Sequence, residues 1–334
     1  MDSILRTNLL SPIALAFALG IVARLIRSEF SLPKDIYAGI SIYLLWALGL
    51  QGGIELHHAG FAGIAKPAAV TLLLGCVTPL TTYVVLRRLG GFGAADAAGI
   101  AAHYGSVSAV TFIAAQTFVK GMGTEAEGYM PTLLTLLESP GIHIALAIGA
   151  IQTGGKGRPT SEVLHEVLTA RTMVLLVGGL IVGYLIGDRN WQVIEPFFNT
   201  KGAMFRGSLT IFMLEMGILA GARFADLKKV GPFLLAFGIV MPILHGALGV
   251  WLGTLAGLSA AGACVLGTMA ASASYIAAPP AVRVTLPEAN PTLYLTSALA
   301  ITFPFNILFG IAIYYKIALA LAPAAAALPA TVVP

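Results

Sequence analysis

Charge is what this chain has least of. Only 10% of its 334 residues are Asp, Glu, Lys or Arg, while 57% are hydrophobic; ordinary soluble domains carry about 25% charged residues. A soluble core of this size needs a charged shell, and the residues for one are missing, which excludes a water-soluble globular protein. The mean hydropathy of +0.89 agrees. Cysteine is nearly absent. Cys76 and Cys264 stand inside apolar runs with no CxxC or Cys/His spacing, so each reads as a small buried hydrophobe rather than half of a disulfide or a metal ligand. No glycine-rich phosphate loop of the Walker type is present, so any transport is driven by an ion gradient and not by ATP. No polar stretch is long enough for a separate soluble domain, and the apolar run after Arg6 lacks the small-residue cleavage site of a signal peptide.

What is there is membrane-spanning sequence. About twenty apolar residues cross a bilayer as a helix. The runs between charges and Pro/Gly clusters predict ten such helices, near 11–27, 35–54, 66–87, 94–118, 131–152, 171–187, 204–222, 231–255, 259–283 and 291–319. The longest polar connection, residues 154–170, falls mid-chain and reads as a linker. Threading the spans puts seven of the 19 Lys and Arg on one side, among them Lys120, Lys201 and Arg206, and twelve on the other, among them Arg87, Arg88, Lys156 and Lys229. The positive-inside bias therefore predicts both termini outside and the linker in the cytoplasm. This asymmetry accounts for the net charge of +4 without any nucleic acid.

The chain also repeats itself. Residues 37–53, YAGISIYLLWALGLQGG, align without a gap on 205–221, FRGSLTIFMLEMGILAG, so that Gly39, Gly49 and Gly53 fall on Gly207, Gly217 and Gly221. Residues 89–110 align on 255–276, pairing Ser106 with Ser272 and Ser108 with Ser274. In the fifth span of each half LESPG meets ITFPF, Pro140 on Pro304. Similarity among small apolar residues is cheap, but three alignments in one order are not. Five spans per copy is an odd number, so the second copy enters the membrane from the opposite side. The expectation is an all-α polytopic protein of two inverted five-helix repeats, residues 1–153 and 171–334, joined by the linker. A helical scaffold with chance similarity is the bland alternative.

The fourth span of each repeat carries a polar break: HYGSVSAVTF from His103 and ASASYIAAPPAV from Ala271. Pro280 has no N–H and its ring clashes one turn back, so a regular helix fails near 274–278. Non-helical backbone at membrane depth is tolerated where it lines a cavity or is packed in protein. Two such breaks, in helices four and nine, would cross near the midplane. Half-helix N-termini there suit an anion; freed carbonyls and the hydroxyls of Ser106, Ser108, Thr111, Ser272 and Ser274 suit a small hard cation such as Na⁺. Close helix crossing is the competing use of such small residues.

At these residues the chain resembles the sodium-dependent bicarbonate transporters of bacteria. The likeness is most specific in ASASYIAAPPAVRVTLPEANPTLYLTSALAITFP, residues 271–304, is supported by YGSVSAVTF, LESPG and LEMG, and covers nearly the whole chain. It implies a two-domain, core-and-gate elevator fold related to the bile-acid sodium symporters, a homotrimer in the bacterial inner membrane, and Na⁺-coupled uptake of bicarbonate. It implies a substrate site at Gly105, Ser106, Val107 and Ser108 of the first break and Ala271, Ser272, Ala273, Ser274 and Tyr275 of the second, with Na⁺ near Ser108, Thr111, Ser274 and Glu138. Two features depart from the pattern. The family has an acidic residue where this chain has Tyr275, and the short central linker leaves a docking regulator less to hold. Another small anion, or proton coupling, stays open.

Among the remaining ionisable residues, Glu138 precedes Pro140 inside the fifth span, where a carboxylate is by default a functional candidate. Glu215 is mid-span, Glu55 reads as interfacial, and Asp96 opens the fourth span, favouring a helix N-terminus. His103 reads as a hydrogen-bonded structural histidine or a proton relay. An intramembrane hydrolase using Ser106 with His103 or His143 is the enzyme alternative. Serines duplicated in both halves argue against it, since a hydrolase needs one nucleophile.

Overall fold

The structure is a computed structural model that describes residues 3–154, 165 and 168–322. Most of the central linker, including Lys156 and Arg158, and the C-terminal segment to Pro334 lie outside the described residues. All regular structure among the described residues is helical: α1 (Ser3–Leu9), α2 (Pro12–Leu25), α3 (Lys34–Arg88), α4 (Ala94–Tyr104), α5 (Ala109–Gly121), α6 (Met130–Glu138), α7 (Pro140–Gln152), α8 (Arg171–Phe198), α9 (Ala203–Arg223), α10 (Leu227–Leu255), α11 (Ala260–Ala270), α12 (Ala278–Thr285) and α13 (Pro291–Leu321). Among the described residues six helices, counting α4–α5, α6–α7 and α9–α10 as one each, are long and apolar enough to cross a bilayer, and α1–α2, bent by 56°, adds a seventh.

Lengths show where the chain turns. At about 1.5 Å per residue, the 55 residues of α3 would measure roughly 80 Å, more than twice a hydrocarbon core. Gly60, with φ 66°, kinks α3 between the two predicted spans. A 3₁₀ turn between α9 and α10, Phe224–Asp226, and Gly231 near the start of α10, with φ 74°, do the same. Only glycine takes that backbone conformation without strain.

The two most extensive helix pairings are α3 with α8 and α2 with α9. Each is a close crossing on glycines four residues apart. A methyl at Gly49 would stand 2.9 Å from Gly179 Cα, and one at Gly53 would overlap the Leu180 carbonyl oxygen. A methyl at Gly217 would overlap the Phe17 carbonyl oxygen, and one at Gly221 would meet Arg24 Cβ at 3.1 Å. Small residues let helices approach where lipid offers no hydrophobic driving force. Residues that align between the two halves of the sequence thus make alike crossings.

Two buried clusters form the interior. One gathers α2, the first part of α3, α5, α6, α9, α11 and the end of α13 around Phe17, Leu48, Phe112 and Phe212. The other joins α4, α7, α10, α12 and the first part of α13 around Tyr104, Ile142, Phe237 and Tyr294. Cys264 is buried, but Cys76 is exposed on α3, against the expectation of two buried thiols. In a helix apolar all round, hydropathy does not separate the outward face from the inward one.

Candidate functional site

Non-helical backbone separates α4 from α5 at 105–108 and α11 from α12 at 271–277. The second break follows from Pro279 and Pro280, which open α12 and cannot donate hydrogen bonds back along a continuous helix. Each break satisfies the other. The Ser274 N–H donates to the His103 carbonyl at 2.8 Å, and the Ser108 N–H donates to Ser272 Oγ at 2.9 Å. Ser272 Oγ donates in turn to the Met269 carbonyl. Ser108 caps α5 by accepting the Thr111 N–H at 3.3 Å, and Ser274 accepts the Ala277 N–H at 3.3 Å. The crossing lies where the clusters meet, Val107 and Ala271 in one, Tyr104, Ala273 and Ala277 in the other.

Beside the crossing is a cavity of about 30 Å³, room for roughly a water or two. Val107, Ser108, Ser274 and Tyr275 from the breaks form one wall; Ser41, Leu44 and Leu45 of α3, Thr172 of α8 and Phe212 of α9 form the other; Glu138 closes it from α6. Glu138 is buried, and its Oε2 has no hydrogen-bond partner. Thr172 stands beside that carboxylate without hydrogen-bond geometry. Ser108 Oγ is 3.5 Å from the Tyr275 hydroxyl, whose ring packs edge-on to Phe303. Among the described residues no three His, Cys, Asp or Glu side chains gather; the oxygens here are hydroxyls, carbonyls and one carboxylate, the set a hard cation takes.

A family model described as the Na⁺-dependent bicarbonate transporter superfamily matches residues 12–319. The chain belongs to that superfamily. No curated protein matches it. The protein is therefore a multi-pass membrane protein of a transporter family.

Of the residues expected to hold substrate in this transporter, Val107, Ser108, Ser274 and Tyr275 line the cavity. The other five have structural partners. Gly105 lets the first break pass Gly141, whose own methyl would overlap the Gly105 carbonyl; this explains the glycine of LESPG. Ser106 Oγ donates to the Glu138 carbonyl at 2.9 Å, and Ser272 ties the two breaks together. The Ala271 carbonyl accepts from Asn306 Nδ2 at 2.9 Å, and Ala273 is buried in the second cluster. Of the residues expected near Na⁺, Ser108, Ser274 and Glu138 reach the cavity, while buried Thr111 stands outside its lining with Oγ1 unpartnered.

The opposite wall was missed, although the signal was in the repeat: Leu44 and Phe212 align in the two quoted segments, and both face the cavity. Glu215 accepts the Leu32 N–H at 3.0 Å, an internal partner. Asp96, in the first turn of α4, accepts the Asn290 N–H at 2.7 Å. His103 Nδ1 bonds the Gly99 carbonyl at 2.8 Å, its ring stacks on Tyr294, and its buried Nε2 has no hydrogen-bond partner.

Proposed function

We propose that this chain is a secondary transporter taking up bicarbonate with Na⁺, working as an elevator in which the unit carrying the two breaks slides against a gate built on α2, the first part of α3, α8 and α9. The observation that carries the proposal is the cavity between these units. One wall holds the serines of both breaks, the other the aligned Leu44 and Phe212. The ten-helix inverted repeat is part of the same proposal. It is supported by the matched glycine crossings and by the halves of α3 and of α9–α10, which bring the long apolar segments to ten once α1–α2 and the broken α11–α12 are each counted as one. The homotrimer, the inner-membrane location and the outside termini remain proposals that rest on the family and on loop charge.

Tyr275 favours a second reading. With no carboxylate after the break serines, Glu138 is the only acid lining the cavity among the described residues, and a cation and carboxylate 4 Å apart attract by about 4 kcal/mol at an effective dielectric of 20. A sodium-independent carrier of a small anion is what results if Glu138 does not supply that term. Uptake of labelled bicarbonate into proteoliposomes, with and without an inward sodium gradient, decides between them. Sodium-driven uptake is expected, lost in Glu138→Gln and made more sodium-dependent in Tyr275→Asp. Bicarbonate uptake indifferent to sodium in all three proteins supports the second reading; no bicarbonate uptake in any condition removes bicarbonate as the cargo.

A further inference from the structure

A second cavity, of about 570 Å³, lies at the far end of α5 and is walled also by the starts of α2 and α9. Its charges are unbalanced: among the described residues, Lys120, Lys201 and Arg206 stand against Glu125. Lys201 Nζ is 2.8 Å and Lys120 Nζ 3.8 Å from the Glu125 carboxylate, and Arg206 donates to the Lys201 carbonyl at 2.8 Å. Helix α5 joins the two cavities. It starts beside Ser108 in the break and ends at Lys120 in the basic mouth, roughly 18 Å away at 1.5 Å per residue. Among the described residues Ile113 lines both cavities, and it is only 2% exposed. A largely apolar cavity whose mouth carries excess positive charge therefore runs along one helix to the side chain of Ile113, with the break serines beyond it.

We infer that this basic cavity is the vestibule through which a small anion reaches the crossing, that Ile113 is the plug between the two, and that Lys120, Lys201 and Arg206 select for negative charge. Glu125 tethers the two lysines and lowers the net positive charge the anion meets. The inference rests on the reading of the crossing as the cargo site, so its test needs a readout independent of transport. Focused charge of one sign raises local concentrations and encounter rates of opposite charges by 10-fold or more.

Thr117 also lines the vestibule and takes no part in the proposed cargo site. In a Cys76→Ser background, Thr117→Cys in proteoliposomes is labelled with anionic sulfonatoethyl and cationic trimethylammonioethyl methanethiosulfonate, each rate normalised to its reaction with a free thiol. The anionic reagent should react faster. That preference should fall about 10-fold in Lys120→Gln/Lys201→Gln and rise in Glu125→Gln. In transport, the double variant should raise KM for bicarbonate severalfold with Vmax retained, and Ile113→Trp should block uptake while leaving Thr117→Cys labelling intact. A Thr117→Cys thiol that does not react in the membrane, because lipid or a neighbouring subunit covers the cavity, overturns the inference. So does an anionic-to-cationic ratio that no charge substitution moves. Charge-selective labelling in a protein that moves no bicarbonate would instead sink the cargo reading and leave the vestibule standing.

Discussion

At the crossing of the two breaks the Ser272 hydroxyl donates to the Met269 carbonyl and accepts the Ser108 N–H, so one oxygen joins two segments 164 residues apart. Ser272→Ala leaves that N–H buried without an acceptor, at a cost of about 1–3 kcal/mol; thermal unfolding in detergent should show a lower midpoint. Ser108 and Ser274 differ from it because they line the cavity as well as accepting backbone N–H groups, Ser108 as a helix cap and Ser274 within the break. Ser108→Ala and Ser274→Ala should each weaken bicarbonate binding by about 1.5–3 kcal/mol, the worth of a hydrogen bond to a charged group, or about 10- to 150-fold. Ser106→Ala and His103→Gln, whose side chains lie outside the cavity lining, should change affinity far less. Parent-like affinity in both cavity-facing variants would put the cargo site elsewhere.

At the scale of elements, glycines that look interchangeable in the repeat do different work. Gly39 and Gly207 align, yet a methyl at either meets nothing within 4 Å. Gly49 and Gly217 also align, and each stands against the backbone of a crossing helix. Gly49→Ala and Gly217→Ala must push two backbones apart, and overpacking of this kind costs about 1–3 kcal/mol or more. Gly39→Ala and Gly207→Ala should be neutral or stabilising by up to about 1 kcal/mol through helix propensity alone. Unfolding midpoints of the four single variants check this. Equal effects at all four positions would remove the crossings as the reason for these glycines.

For the whole molecule, the proposed elevator needs opposite orientations for the two repeats, and loop charge sets the direction. Reporter fusions at Lys156 and at Pro334 should lie in opposite compartments, with Lys156 cytoplasmic. A cytoplasmic Pro334 would break both the ten-span count and the inverted repeat. The same orientation puts the basic mouth formed by Lys120, Lys201 and Arg206 on the outer side, where an anion being taken up would meet it first. Outside the spans, Glu125 is held below the usual carboxylate range by its hydrogen bond from Lys201, so it stays charged at neutral pH and keeps the mouth's net charge lower than the three cations alone would make it.

Much of this was readable without coordinates. Composition alone demanded a bilayer, because too few charges exist to cover a soluble core. The paired prolines at 279 and 280 dictated where the second helix breaks, since a residue without an N–H cannot continue the ladder. LESPG, the aligned glycines and the family likeness were likewise matters of sequence. What the sequence could not decide was which side of each helix faces what. In a chain apolar on every face, lipid-facing and protein-facing positions carry the same residues, so Cys76 was expected inside and lies outside. Leu44 and Phe212 were seen as repeat partners but not as a cavity wall. The vestibule depends on Lys201 meeting Lys120 and Glu125 from a distant part of the chain, and on Ile113 lying between two cavities. Those are distances across the folded molecule, and only packing sets them.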